Sequence, residues 1–273
     1  MISSLPRVLK DPQSFAELFA FESGGDDAFI AQSPMYPWGR VYGGQAVAQA
    51  LLAAGRTVEP EHLPHSLHAY FIRSGDCELP IRYEVDRIRD GRSFVTRRVV
   101  GIQKDKAIMN LSASFHRNED DVSVSTAAPI ATGRPVDGQA TDEPSWSSLF
   151  ERRTFPDVDG DAAMWARVTE DLGDDPLINA AALAYISDDV PTESVVSLHP
   201  VKAPEGGHHE TFMTSSLDHA MWFHRASRVD QWQLHDFTSD ILQGARGTTR
   251  GRIFDEAGNH VASVMQEVLL RTR

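Results

Sequence analysis

The chain of 273 residues is short of cysteine, of positive charge and of long apolar runs, and each shortage removes a class of function. Cys77 is its one cysteine, which rules out an intramolecular disulfide and fits a reducing, cytoplasmic setting. Lys and Arg number 26 against 39 Asp and Glu, a formal net charge of −13. That balance is opposite to the basic footprint of a nucleic-acid binder and disfavours anionic membrane surfaces, so neither partner is expected. No stretch approaches the roughly 18 to 20 consecutive apolar residues of a bilayer crossing, so membrane insertion is not expected either. The opening residues, Met1 to Pro12, carry no sustained apolar region of the signal-peptide kind, and Arg271-Thr272-Arg273 is not a peroxisomal address.

Chemical signatures are missing as well. The chain has no GxSxG nucleophile elbow, no GxxxxGK[ST] phosphate loop and no GxGxxG dinucleotide fingerprint. Its 11 histidines invite a metal reading, but HExxH and Cys/His frameworks are lacking. His65 with His68, and the pair His208-His209, are therefore read as structural or surface residues. Cys77 follows Gly75-Asp76 with no base in view and is read as a packing thiol. No cofactor and no metal are expected.

What is present is ordinary globular composition, with 41% apolar and 24% charged residues. A chain this long can bury about 70 to 75% of its unfolded surface, enough for a core without staples. At roughly 100 to 200 residues per domain, two domains are the first expectation. The segment 118–148 scatters Pro129, Gly133, Pro135, Gly138 and Pro144 among Asp, Ser and Thr without a hydrophobic period. It reads as a linker between repeats at 1–117 and 149–273.

The two halves share an order of elements. The run from Arg92 through Ser112-Ala113-Ser114-Phe115 lies without a gap on the run from Arg246 through Gln266-Glu267-Val268-Leu269, and His68-Ala69-Tyr70-Phe71 matches His219-Ala220-Met221-Trp222. Each half also has an apolar helical segment. Gly43-Gly44 precedes Gln45 to Gly55 in the first, and Asp174-Asp175-Pro176 opens Leu177 to Ile186 in the second. A helix apolar all round belongs inside a protein. β-Branched alternating segments such as Ile81 to Ile88, with a turn at Asp90-Gly91, suit antiparallel pairing. The class implied is α+β, a buried helix wrapped by antiparallel sheet, twice over.

A set of blocks then resembles a known family. Arg40-Val41-Tyr42-Gly43-Gly44-Gln45, His65 through Asp76, Arg89-Asp90-Gly91-Arg92-Ser93-Phe94, Leu217 through Arg225, Ala245-Arg246-Gly247 and Gln266-Glu267 look like the acyl-CoA thioesterase II family, the TesB-like double-hotdog enzymes. The resemblance runs from about Phe15 to Arg273. It implies a double hotdog fold and hydrolysis of acyl-CoA to CoA and a free carboxylic acid, in lipid and fatty acid metabolism. It also implies a catalytic Asp, a hydroxyl and a Gln that hold the water, which carry over to Asp188, Ser216 and Gln266. Ser stands where Thr is commoner, and Asp189 follows Asp188 where an apolar residue is usual. The second departure leaves open which carboxylate faces the site.

The chemistry of these residues can be argued separately. Asp188 falls where the second apolar helix ends, near the negative end of its dipole, beside Asp189 and in apolar surroundings, so its pKa is expected to rise and suit a general base. Gln266 interrupts an apolar strand face of Ala262, Val264, Val268 and Leu270. Ser216 is expected to enter a strand. A thiol leaving group with a pKa of roughly 8.5 departs without a strong acid, so a base and an oriented water suffice. Backbone amides at Gly43, Gly44 and Gln45 are candidate oxyanion donors at a helix start. Arg92 and Arg246, among the hairpin arginines Arg89, Arg97, Arg98, Arg250 and Arg252, are candidates for the phosphates of an anionic CoA. Two other functions stay open, a hotdog enoyl-CoA hydratase or dehydratase and a non-catalytic acyl-CoA-binding protein. A homodimer or homotetramer is expected, through a sheet face carrying Met109, Leu111 and Phe115.

Overall fold

A computed structural model describes residues 12, 14–129, 141–143, 145–156, 159–202 and 208–273. The opening segment before Pro12 and much of the expected linker, residues 130–140 and 144, lie outside them. The first half holds α1 (Phe15–Leu18), β1 (Glu22–Gly25), β2 (Ala28–Ala31), α2 (Gly43–Gly55), β3 (His62–Phe71), β4 (Ile81–Asp90), β5 (Phe94–Gln103) and β6 (Lys106–Arg117). Then come β7 (Thr141–Glu143), β8 (Phe150–Thr154), β9 (Asp161–Val168), α3 (Pro176–Ile186), α4 (Pro191–Ser197), β10 (Phe212–Ser216), β11 (Asp218–Phe223), β12 (Gln233–Gln243), β13 (Arg246–Asp255) and β14 (His260–Thr272).

All of these strands join one antiparallel sheet in the order β1-β2-β4-β5-β6-β3-β11-β14-β13-β12-β9-β8-β7, with β10 added to β14. The halves meet where β3 pairs with β11, His68 opposite Ala220. The helices α2 and α3 pack against each other, and one apolar cluster runs through both halves, from Phe15 and Leu51 to Tyr185 and Val264. This is the double hotdog arrangement, two central helices wrapped by one curved sheet.

Local chemistry explains the helices. Asp175 caps α3 by accepting from the Leu177 and Ile178 amides, with Pro176 at the first position, as the acids and proline suggested. α2 starts two residues earlier than expected, at Gly43, and its N-cap Tyr42 offers no side-chain acceptor. Its first amides therefore need a partner from elsewhere.

The register corrects several expectations. Met109, Leu111 and Phe115 point inward and are buried, so they form core and no docking face. The outward face near the centre of the sheet instead exposes Tyr70, Trp222 and Met265. The sequence alignment of the halves slips by one residue, because His68 and Ser112 point outward whereas His219 and Gln266 are buried. Their inward counterparts are Leu67 and Ala113, which face each other across β3 and β6. In β-structure a one-residue slip exchanges the two faces completely. Arg97 is buried, with its guanidinium donating to Thr57 and Asp90, so it holds the first half together and is not available to a phosphate.

His235 is buried on β12 between Met164 and Ile253, and neither ring nitrogen finds a hydrogen-bond partner among the described residues. Burial pushes its pKa from 6.5 down to about 3. The unfolded chain binds a proton there below about pH 6.5 and the folded chain does not, so this contribution to stability is complete above that pH and is lost as pH falls towards 3. His235→Phe should remove on the order of 2 kcal/mol of the stability difference between pH 7 and pH 5. Urea unfolding at the two pH values measures it, and equal pH dependence in variant and wild type would refute it.

Candidate active site

Three elements from the second half bring Asp188, Ser216 and Gln266 together. Asp188 lies two residues beyond the end of α3, Ser216 is the last residue of β10, and Gln266 points inward from the middle of β14. Ser216 thus closes a strand where it was expected to open one. Its hydroxyl donates to Asp188 Oδ1 at 3.0 Å, and Gln266 Nε2 donates to the same oxygen at 2.9 Å and to Ser216 Oγ at 2.8 Å. Asp188 is 6% exposed and Gln266 1%, while Ser216 is partly open.

The other carboxylate oxygen meets the first half. A Cβ placed on Gly43 would lie 2.5 Å from Asp188 Oδ2 and 2.9 Å from the Phe71 ring. The Gly44 amide donates to the carboxylate, so Asp188 supplies the cap that Tyr42 lacks. The carboxylate therefore sits at the C-terminal end of one helix and the N-terminal end of another. Burial raises its pKa above the ordinary 3.8, opposed by His219, Gln266, Ser216 and the Gly44 amide. Of the causes expected for this rise, burial in apolar surroundings is the leading one, and Asp189 is not among the contributors. Asp189 turns away, accepting from Trp146 Nε1 at 2.6 Å and Arg152 at 3.0 Å. It anchors an aromatic cluster in which the Tyr42 and Trp146 rings are 4.8 Å apart and Tyr42 donates to the Tyr185 carbonyl.

One buried residue at the site had no role assigned from sequence. His219 on β11 is fully buried, with Nδ1 2.5 Å from Gln266 Oε1 and Nε2 3.0 Å from Ser187 Oγ. It stood within the Leu217-Asp218-His219 block, and its alignment with the outward His68 gave no signal that it faces inward. The corresponding inward pair in the first half, Leu67 and Ala113, is apolar and cannot form such a centre.

Other expected contributors fall elsewhere. The Gln45 side chain is buried and donates to Gln32, Ser33 and Gln49, so only its backbone amide remains a candidate donor. Arg92 is exposed near the β4-β5 turn, and Arg246 is exposed and paired with Glu267. Arg98, Arg250 and Arg252 face Asp86, Asp240 and Asp236. His65 bonds Ser114, and Cys77 is buried. Two surface clefts, one bounded by His65, Phe223 and Arg225 and the other by His199, Leu242 and Arg271, are lined by none of the three central residues.

A buried, raised-pKa carboxylate with two donors on one oxygen can accept a proton from a small nucleophile. Comparison with known proteins bears on which. The acyl-CoA thioesterase N-terminal domain family matches residues 31–116, and the acyl-CoA thioesterase C-terminal domain family matches residues 109–270. Acyl-CoA thioesterase 2 of Haemophilus influenzae is 30% identical over 93% of this chain and 96% of its own. Human acyl-coenzyme A thioesterase 8 is 29% identical over 91% and 86%. The crystal structure of acyl-CoA thioesterase II TesB2 from Mycobacterium marinum superposes with a TM-score of 0.80 at 34% identity, covering 94% of this chain and 96% of that one.

Proposed function

Because the chain belongs to the TesB-like acyl-CoA thioesterase family and is a thioester hydrolase, we propose that it cleaves acyl-CoA by direct attack of a water activated by Asp188. The observation that carries this reading is the convergence of the Ser216 hydroxyl and the Gln266 amide on one oxygen of a buried carboxylate. In the reactive complex the water sits among these three groups. Its proton passes to Asp188 as its oxygen bonds the carbonyl carbon; the tetrahedral intermediate then expels the CoA thiolate, which takes up a proton. No acyl-enzyme forms.

The Gly44 amide is committed to Asp188, so it stabilises the base in its ionised form. We assign the oxyanion to the neighbouring orphan amides of the same helical turn, Gly43 and Gln45. The pairing of hairpin arginines with acids makes Arg92, which is exposed, the better candidate than Arg246 for a CoA phosphate. Residues 118–148 are proposed to link the repeats 1–117 and 149–273, and self-association to use the outward face of Tyr70, Trp222 and Met265.

Thiol release from a panel of acyl-CoAs tests the proposal, with turnover expected for at least one chain length. Loss of enoyl absorbance without thiol would instead indicate hydration, and tight binding without turnover a binding protein. The raised pKa of Asp188 adds a pH signature. Since the ionised form is the base, kcat/KM should fall on the acid side through a single ionisation above 3.8, about tenfold per pH unit well below it. A flat profile down to pH 4 would contradict a raised pKa.

A further inference from the structure

We propose that His219 is the positioning residue that fixes the Gln266 amide in its working orientation. The inference rests on the water-activation reading above and concerns what makes that geometry unique. Gln266 Nε2 has two hydrogens, and both are committed, one to Asp188 Oδ1 at 2.9 Å and one to Ser216 Oγ at 2.8 Å. Its Oε1 is turned the other way, 2.5 Å from His219 Nδ1. Since an amide oxygen only accepts, Nδ1 must carry a hydrogen and donate it.

The alternative amide orientation is the hazard. An amide side chain can rotate by a half-turn with little change of shape, which would put Oε1 against the Asp188 carboxylate and leave two acceptors facing each other. Nothing in the Asp188 and Ser216 contacts alone holds Gln266 from behind. The imidazole does, because its Nδ1–H rewards one orientation and would meet an N–H in the other. His219 Nε2 reaches Ser187 Oγ at 3.0 Å, and the Ser187 hydroxyl also lies 3.0 Å from the Ala184 carbonyl. Ser187 directly precedes Asp188, so one fully buried ring ties the strand that carries the amide to the turn that carries the base.

The first half supplies an internal control. Its counterpart positions hold Leu67 and Ala113, so the histidine and the glutamine occur together in one half and are both missing from the other. A histidine kept only to fill core volume would have no reason to track the amide.

Three substitutions separate positioning from packing. His219→Leu removes both ring nitrogens, His219→Asn keeps an N–H near the Nδ1 position, and His219→Gln keeps one near the Nε2 position. Because a misplacement of about 1 Å costs roughly 10²-fold in rate, we expect His219→Leu to lower kcat about 10- to 100-fold with KM nearly unchanged. His219→Asn should recover most of kcat and His219→Gln should not, even when their melting temperatures agree. In a Gln266→Ala background, adding His219→Asn or His219→Leu should cost nothing more in kcat, since the group being oriented is gone. Equal kcat for the Asn and Gln variants, or a kcat loss that adds in full to that of Gln266→Ala, would overturn the proposal. A readout independent of turnover is ¹⁵N NMR of the imidazole. It should show a protonated Nδ1 whose signal moves in Gln266→Ala, and an unprotonated Nδ1 would refute the assignment. That result stands or falls even if thiol release fails, so the two readings can fail separately.

Discussion

Asp188→Asn lowers kcat for thioester hydrolysis by about 10²- to 10⁴-fold, the range ascribed to a positioned general base, while the folded protein survives. The side chain keeps its shape, so packing against Gly43 is retained. What goes is the capacity to take a proton from water. The sign of the accompanying stability change is a second, independent check. The folded-state pKa of Asp188 is raised, so its favourable contribution exists only at low pH, where it is protonated, and is lost as pH rises through that raised value. At pH 8 the wild type carries the cost of a buried charge that the amide avoids. The variant should therefore melt no lower than wild type at pH 8, and its relative advantage should shrink as pH falls to 4.5. Calorimetry at the two pH values, beside single-turnover thiol release, measures both effects. Retention of more than a tenth of wild-type kcat would remove Asp188 from its role. A large drop in melting temperature at both pH values would mean that the carboxylate acts mainly as the cap of α2.

Adding one methyl group at Gly43 or Gly44 should produce two different failures. At Gly44 a Cβ would lie 2.3 Å from the Tyr185 carbonyl oxygen and 2.6 Å from the Tyr42 ring. A backbone carbonyl in the last turn of α3, set against the first turn of α2, cannot step aside cheaply, so the two helices must separate there. Gly44→Ala should cost about 3 kcal/mol of stability, at the upper end of typical overpacking penalties. At Gly43 the new methyl meets Asp188 Oδ2 at 2.5 Å and the Phe71 ring edge at 2.9 Å, both ends of side chains that can move. Gly43→Ala should therefore fold, but with the base displaced and kcat reduced about 10²-fold. Chemical denaturation and steady-state kinetics on both variants test the division. Loss of activity without loss of stability at Gly44, or the reverse at Gly43, would show that the helix contact is arranged differently.

Much of this was legible in the sequence for physical reasons. An apolar helix of Ala and Leu next to alternating strands has one stable solution, burial under an antiparallel sheet, so the α+β class and the two core helices follow from periodicity alone. The blocks around Asp188, Ser216 and Gln266 carried a family resemblance, and Gln266 also announced itself as an amide on an apolar strand face. Asp175 and Pro176 marked a helix start because capping chemistry is local.

Tertiary structure decided everything that depends on what lies across a contact. Strand register is one such matter: a slip of one residue sends His68 outward and Leu67 inward, and no local property of those residues fixes it. The partners of Asp188 and Asp189 are another: Trp146 and Arg152 reach Asp189 from distant elements, whereas Ser216, Gln266 and the start of α2 meet Asp188. Gly43 and Gly44 read in one dimension as the approach to a helix and as candidate backbone donors. In three they are the narrow place where a helix from one half meets a carboxylate from the other. His219 was silent for the same reason, since its meaning lies in Gln266 and Ser187, which the chain places beside it only after folding.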